Sequence, residues 1–208
     1  MTKKEKAEGI MKILDKLYPK TPIPLKFSNH FTFLVAVLLS AQATDKMVNK
    51  ITPILFKLAD TPEKMMKVPV EKIREIIKPI GLSPAKSKNI KALSKILVEK
   101  YDGKVPASFS DLESLPGVGH KTASVIMVQA FNQPAFPVDT HIHRLAHRWG
   151  ISNGKSVVQT ERDLKKVFPK EHWRKLHLQM IFFGREHCPA LRHDEKKCPI
   201  CSKYGCKR

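Results

Sequence analysis

Apolar positions recur with a helical period along nearly the whole chain. Ile10, Ile13, Leu14 and Leu17 share one face of a first helix that stops before Pro19. The proline-rich bridge YPKTPIP follows and marks a boundary. Ser28 is placed to cap a second helix through FTFLVAVLLSAQA, which is apolar on every side and therefore predicted to be deeply buried. Further helices are expected over 44–59 and 70–78, then a stripe formed by Ile90, Leu93, Ile96 and Leu97. Prolines fall between these stretches, and Thr61-Pro62, Ser83-Pro84 and Val105-Pro106 read as helix starts. No alternating strand and no βαβ rhythm stands out. The pattern predicts an all-α fold of many short helices with tight connections. The last 20 residues differ, because Cys, Lys, His and Pro replace the apolar stripes. So short and polar a segment needs a staple to fold.

A length of 208 residues is room for one ordinary domain or two small ones. With 42% hydrophobic and 27% charged residues, a wholly disordered chain is excluded. The net charge of +19 changes the picture more. It attracts polyanions and opposes self-association, which favours nucleic acid as partner and a monomeric protein, with an anionic membrane surface as the rival partner. The longest apolar stretch, Phe31–Leu39, is nine residues, against about 20 for a spanning helix. The start, MTKKEKAEGIMKIL, has no apolar centre of a signal peptide. An intracellular protein, cytoplasmic and with the chromosome, is expected, and not a secreted one. All four cysteines, Cys188, Cys198, Cys201 and Cys206, lie in the last 21 residues. They cannot staple the rest of the chain, so a local metal site is expected.

The most informative stretch is 111–130, DLESLPGVGHKTASVIMVQA. A short helix ending near Leu115, a Pro116-Gly117-Val118-Gly119 turn and a second helix from His120 form a helix-hairpin-helix. The glycines flanking Val118 permit backbone angles closed to other residues and a close approach to another molecule. N–H groups at the start of the second helix then face outward, where they can bind a phosphate oxygen. A plain corner with Val118 packed inside is the competing reading; the surrounding positive charge favours DNA.

Lys121 stands in the first turn of the second helix. It is either one more phosphate-binding cation or a nucleophile. A positive helix end and neighbouring cations disfavour an ammonium, and a neutral amine can form a Schiff base with an electrophilic sugar carbon. Asp139, 18 residues on in AFPVDTHIHRLAHRWG, is either the N-cap of the next helix or a carboxylate acting on protons or on developing positive charge. His141, His143 and His147 follow; without a third partner they are expected to contact phosphate or solvent rather than a metal.

Four segments in order resemble the endonuclease III family of DNA glycosylases, within the group that combines a helix-hairpin-helix with a Gly/Pro-rich loop and an Asp. These are LLSAQATD at 38–45, KPIGL at 78–82, LPGVGHKTA at 115–123 and VDTHIHR at 138–144. The resemblance spans nearly the whole chain. It implies a six-helix barrel domain over 23–134 and a second helical domain made of 1–22 and 135–208, with damaged duplex DNA in the cleft between them. It implies Lys121 and Asp139 as the catalytic pair. DNA-binding roles would fall to Gln42, Leu82, Gly117, Val118, Gly119 and His141. Gln42 and Leu82 match side chains that fill the gap left by an extruded nucleotide, offsetting part of an unstacking cost of roughly a few kcal/mol. Without the resemblance, Leu82 reads as a core leucine and Gln42 as a solvated helix end.

The resemblance also implies that Cys188, Cys198, Cys201 and Cys206 ligate a structural [4Fe–4S] cluster. Four thiolates suit tetrahedral zinc as well, which ranks second. The spacing, C-x9-C-x2-C-x4-C, departs from the family's commoner pattern, which has six residues in the first gap and five in the last. The long loop carries Arg192, Lys196 and Lys197, which can meet phosphates. The implied activity is base excision of oxidised pyrimidines, followed by β-elimination 3′ to the abasic site. An adenine glycosylase is disfavoured, since such relatives carry a catalytic Glu where Ala36 stands. A mismatch thymine or uracil glycosylase and a non-catalytic DNA-binding module stay open.

Overall fold

The computed structural model describes residues 1–205. Twelve α-helices follow one another: α1 (Lys3–Leu17), α2 (His30–Ser40), α3 (Asp45–Leu58), α4 (Pro62–Met65), α5 (Val70–Ile77), α6 (Ser83–Tyr101), α7 (Phe109–Glu113), α8 (His120–Gln129), α9 (Thr140–Arg148), α10 (Val157–Val167), α11 (Trp173–Glu186) and α12 (Cys201–Tyr204). The described residues contain no strand, as the periodicity predicts, and no helix long and apolar enough to cross a membrane. They divide into two compact units, Ile23–Phe131 and Met1–Pro22 with Asn132 onward.

The Ile23–Phe131 unit is built around α2, in which every residue from Phe31 to Leu39 is buried against neighbours that include α3, α6 and α8. Its cap is Asn29, not the expected Ser28. The Asn29 side chain accepts from the Thr32 N–H at 2.9 Å, and the Thr32 hydroxyl accepts from the Asn29 N–H at 3.0 Å. That reciprocal pair satisfies two of the helix's orphan donors, so it fixes the start one residue later. The helix also stops at Ser40, and Ala41-Gln42-Ala43 turns away from it. Pro62 and Pro84 do sit in the first turns of α4 and α6. Pro106 starts nothing. The next helix waits for Ser108, whose hydroxyl accepts from the Asp111 N–H at 3.2 Å and opens α7.

The other unit joins α1 to α9–α12. Its core gathers Ile10, Leu14, Phe136, Ile142, Leu145, Trp149, Leu164 and Phe183, all fully or almost fully buried. The buried face of α1 is Ala7, Ile10 and Leu14; Leu17, in the last turn, is exposed and Ile13 only half-buried. Polar ties hold α1 in place. Lys3 Nζ donates to the Ile151 carbonyl and Lys6 Nζ to the Trp149 carbonyl, each at 2.7 Å. Asp15 accepts from Lys175 and, at 3.0 Å, from Gln179 on α11.

A candidate DNA-binding hairpin and a metal-ligand group

Helices α7 and α8 pack on each other, anchored by buried Leu112, Leu115 and Ala123. The Val118 N–H donates to the Leu115 carbonyl at 3.1 Å and closes the turn between them. Gly117 has φ +79°, and a Cβ there would stand 2.7 Å from the Asn89 side-chain nitrogen, so both backbone and space require glycine. Val118 was expected among the DNA-binding residues, but its side chain is buried and its N–H serves the turn. It anchors the corner from inside. Gly119 is the N-cap of α8, and a Cβ there would meet nothing within 4 Å, so the helix start is open. No side chain caps it. An uncapped, exposed amino end flanked by glycine is the arrangement that accepts an anion. Lys121 is exposed in that first turn. His120 beside it is tied back, with Nδ1 2.7 Å from Glu113 Oε1 and its ring stacked on Phe109.

Two other positions in this unit share an unusual backbone. Gln42 has φ +56° and Leu82 has φ +50°, in the left-handed region that non-glycine residues rarely occupy. Both are exposed, Leu82 to 55%, so it is not a core leucine. Lys86, which no motif in the sequence marks, links them. Its backbone N–H donates to the Leu82 carbonyl at 3.0 Å. Its Nζ donates to the carbonyls of Leu39 at 3.0 Å and Ala41 at 2.7 Å, immediately before Gln42. Burial pushes the Lys86 pKa down from its usual value. Both strained residues face solvent, and Lys86 ties together the segments that carry them.

In the other unit, Asp139 caps α9, accepting from the Ile142 N–H at 2.8 Å, and remains half-exposed. Capping therefore fixes its carboxylate at the head of the helix. His141, in the first turn, has Nδ1 3.1 Å from Arg144 Nη2, and burial lowers its pKa despite the opposing charge of Asp139. His143 does not contact solvent alone: its Nδ1 lies 2.8 Å from the Thr160 hydroxyl. The same helix fastens the C-terminal loop. Arg144 Nη2 donates to the carbonyls of Gly184 at 2.9 Å and Cys188 at 3.0 Å. Arg148 Nη1 donates to Cys188 Sγ at 3.1 Å and to the Pro189 carbonyl at 2.8 Å. Their four-residue spacing on one helix face was the available signal.

Cys188, Cys198 and Cys201 are buried and come together; Cys206 lies outside the described residues. Their partner is His193, which cysteine spacing alone does not reveal. One donor atom from each of Cys188, His193, Cys198 and Cys201 falls within 4.8 Å of the others. Hydrogen bonding to Cys188 and Cys201 holds the Cys198 thiolate far below the ordinary thiol range. Three thiols and an imidazole suit a thiophilic metal. Arg192, Lys196 and Lys197 of the connecting loop are exposed.

Comparison with known proteins agrees with this arrangement. Residues 35–170 match the HhH-GPD superfamily of base excision DNA repair proteins. The endonuclease III of Bacillus subtilis (strain 168) is 45% identical over 201 residues, covering 94% of this chain and 92% of the relative. A solved non-covalent endonuclease III–DNA complex superposes with a TM-score of 0.92 at 41% identity, covering 97% of this chain and 94% of that one. A trapped endonuclease III–DNA covalent intermediate, an estranged-adenine complex, gives 0.91 at 41%, covering 96% and 94%. A hairpin with an open helix start, a capping aspartate ahead of α9 and similarity over almost the full length place this chain in the HhH-GPD superfamily and, within it, in the endonuclease III family.

Proposed function

We propose that this protein is a bifunctional base excision enzyme that removes oxidised pyrimidines from double-stranded DNA and then cuts the strand. The observation that carries the reading is Lys121, an exposed amine in the first turn of an uncapped helix behind the Gly117–Gly119 turn. That a relative forms a covalent intermediate with DNA supports an enzyme over a passive binding module.

N–H groups around Gly117 and Gly119 hold a phosphate beside the lesion. Gln42 and Leu82 occupy the space left when the damaged nucleotide is extruded. Lys121 Nζ, in its neutral form, attacks C1′ of the extruded nucleotide, and the base leaves with the C1′–N bond's electron pair. The new C1′ ammonium then loses a proton, and the lone pair so restored breaks the C1′–O4′ bond, leaving O4′ as a hydroxyl and an imine between lysine and C1′. Loss of a C2′ proton then expels the 3′-phosphate by β-elimination and nicks the strand. Asp139 contributes either by taking the Lys121 proton or by offsetting positive charge on the sugar. His141 lies at the same helix start as Asp139 and contributes to DNA contact. The protein acts as a monomer, in keeping with its +19 charge.

The C-terminal group holds a metal in a structural role, since no step above moves electrons to or from a metal. A [4Fe–4S] cluster is the occupant that the family resemblance supports, with Cys206 as its fourth thiolate. Zinc is the second choice, since thiolates also suit a tetrahedral ion.

Borohydride reduction with abasic or oxidised-base DNA is the direct test. Wild type is expected to give a covalent complex, and Lys121→Ala to abolish both trapping and nicking while retaining much of the lesion affinity. Normal trapping by Lys121→Ala assigns the nucleophile to another amine. Wild type that neither traps nor releases any base refutes the enzymatic reading.

A further inference from the structure

We propose that the pocket at the amino end of α2 docks an arginine side chain of a protein partner, with an acidic residue beside that arginine in the partner's sequence. The proposal stands independently of the chemistry assigned to Lys121.

The first observation is place. A pocket of about 480 Å³ opens between Asn29, His30, Thr61, Glu63, Lys104 and Phe131, all in the Ile23–Phe131 unit. Helices α2 and α8 pack on each other and have 11 and 10 residues, which makes them about 16 Å and 15 Å long. The pocket lies at the start of α2 and just past the end of α8. Gln42 follows the other end of α2, and Gly119 and Lys121 form the other end of α8. A helix length therefore separates the pocket from the hairpin, and DNA gripped there leaves the pocket open.

The second is an available carboxylate. Gly103 has φ +72°, and a Cβ there would overlap Glu63 Oε1, so the Glu63 carboxylate rests against a bare Cα. No described residue gives Glu63 a hydrogen bond or an ion pair. Asp60, in the same lining, is already taken by Lys64 at 2.7 Å. In a chain of net charge +19, this wall disfavours a phosphate and favours a cation.

The third is what surrounds that carboxylate. Phe31 and Val105 are 4% and 8% exposed, and the rings of His30 and Phe131 stand edge to face with centroids 4.7 Å apart. A hydrated metal ion gains nothing from such a lining. A guanidinium offers paired donors to the carboxylate, a flat face to the rings and an apolar stem to Phe31 and Val105. Lys104 shares the lining, is exposed and also has no described partner. It repels a bare cation and attracts a carboxylate, which is why the arginine needs an acidic neighbour. The volume falls within the range of small-ligand pockets, so it admits one side chain and part of the next residue.

The test titrates the full-length protein, as purified, with the blocked dipeptide acetyl-Arg-Asp-amide and follows backbone amides by NMR. Saturable shifts are expected at Thr61, Gly103 and Phe131, with affinity in the millimolar range or tighter. The citrulline analogue keeps the shape and loses the positive charge. It should bind at least about tenfold more weakly, although its net negative charge suits a +19 protein better. Glu63→Gln, an exposed and shape-preserving change, should cost the arginine peptide a similar factor. Acetyl-Arg-Asn-amide should bind wild type about twofold or more weaker than the Asp peptide, and Lys104→Met should erase that difference. Undamaged duplex, at a concentration that saturates its own binding, should leave the shifts in place. Shifts that fail to saturate or that fall elsewhere would overturn the proposal. So would equal binding of the citrulline peptide, an affinity unchanged in Glu63→Gln, an Asn peptide that matches the Asp peptide in wild type, or shifts lost when duplex is added.

Discussion

Replacing Lys86 by Met tests whether one buried cation sets the geometry of two exposed side chains. Methionine keeps the length and apolar stem of lysine, so packing around α6 changes little, and only the ammonium is lost. Lys86 is 5% exposed and donates to two carbonyls, those of Leu39 and Ala41. A hydrogen bond involving a charged group contributes about 1.5–3 kcal/mol, so two at the lower figure total about 3 kcal/mol. Removing the charge also removes its desolvation cost, which the lowered pKa of Lys86 reveals, and this offsets part of the loss. A net destabilisation of about 2 kcal/mol is expected, a fall in Tm of roughly 4–8 °C for a chain of this size. Calorimetry measures it. The functional consequence is separate. With Ala41 no longer held, Gln42 should leave its left-handed backbone, and nicking of lesion-bearing duplex should fall more than affinity for undamaged duplex. A Tm within about 1 °C of wild type, well short of that fall, or activity and duplex affinity falling in equal proportion, would refute the reasoning.

Five further outcomes are expected. Asp139→Asn should keep a good N-cap on α9 and cost only a few tenths of a kcal/mol in urea denaturation, yet slow single-turnover chemistry by about 10²- to 10⁴-fold. Gly117→Ala, at φ +79° and against Asn89, should destabilise the protein by at least about 1 kcal/mol; Gly119→Ala, with open space around it, should fold normally and weaken duplex binding, measured by fluorescence anisotropy. Binding to undamaged duplex should weaken with salt at a log–log slope near −0.9 per phosphate neutralised, and a flat plot would detach the positive charge from DNA. Burial alone would raise the Asp15 carboxyl, but hydrogen bonds from Lys175 and Gln179 outweigh it and hold the pKa below the ordinary 3.8. The unfolded chain therefore takes up the proton first, and this stabilisation, present above the ordinary value, is lost as pH falls through the depressed one; Asp15→Asn should flatten the decline of stability in urea titrations between about pH 5 and pH 3.

The helices were legible because burial and periodicity agree, and nowhere more than in α2, whose Phe31–Leu39 stretch is apolar but for Thr32 and buried throughout. Their ends were less so. Ser28 and Asn29 are equivalent as caps by residue type, and the choice falls to Asn29 because Thr32 can answer it with its own hydroxyl. Pro106 carries the same local signal as Pro62, but a helix also needs an oxygen for its first N–H groups, and Ser108 provides that oxygen two residues later. At the candidate site, motif positions were readable and their supports were not. Lys86 looked like one cation among 38 basic residues, because nothing local shows that its amine reaches back more than forty residues. His193 is hidden for a related reason: spacing between cysteines does not mark a histidine inside the gap, and only the folded loop brings it to them.

The unit containing Asp139 and the metal ligands is assembled from both ends of the chain, with α1 lying against α10 and α11. On the ribosome that arrangement imposes an order. The 15-residue α1 emerges before the helices it packs on, and a helix of that length is marginal in water by itself. Its docking surface does not exist until the intervening Ile23–Phe131 segment and then α9–α11 have been made. At about 5–20 residues per second, that wait lasts on the order of ten seconds. The hairpin unit has all its own helices long before then and can fold while the rest is still being translated. Throughout the interval Ala7, Ile10 and Leu14 have no core to enter, which makes the amino-terminal helix the natural place for a chaperone to hold a nascent chain. Synthesis that stalls after Phe131 would release a chain that carries Lys121 but lacks Asp139.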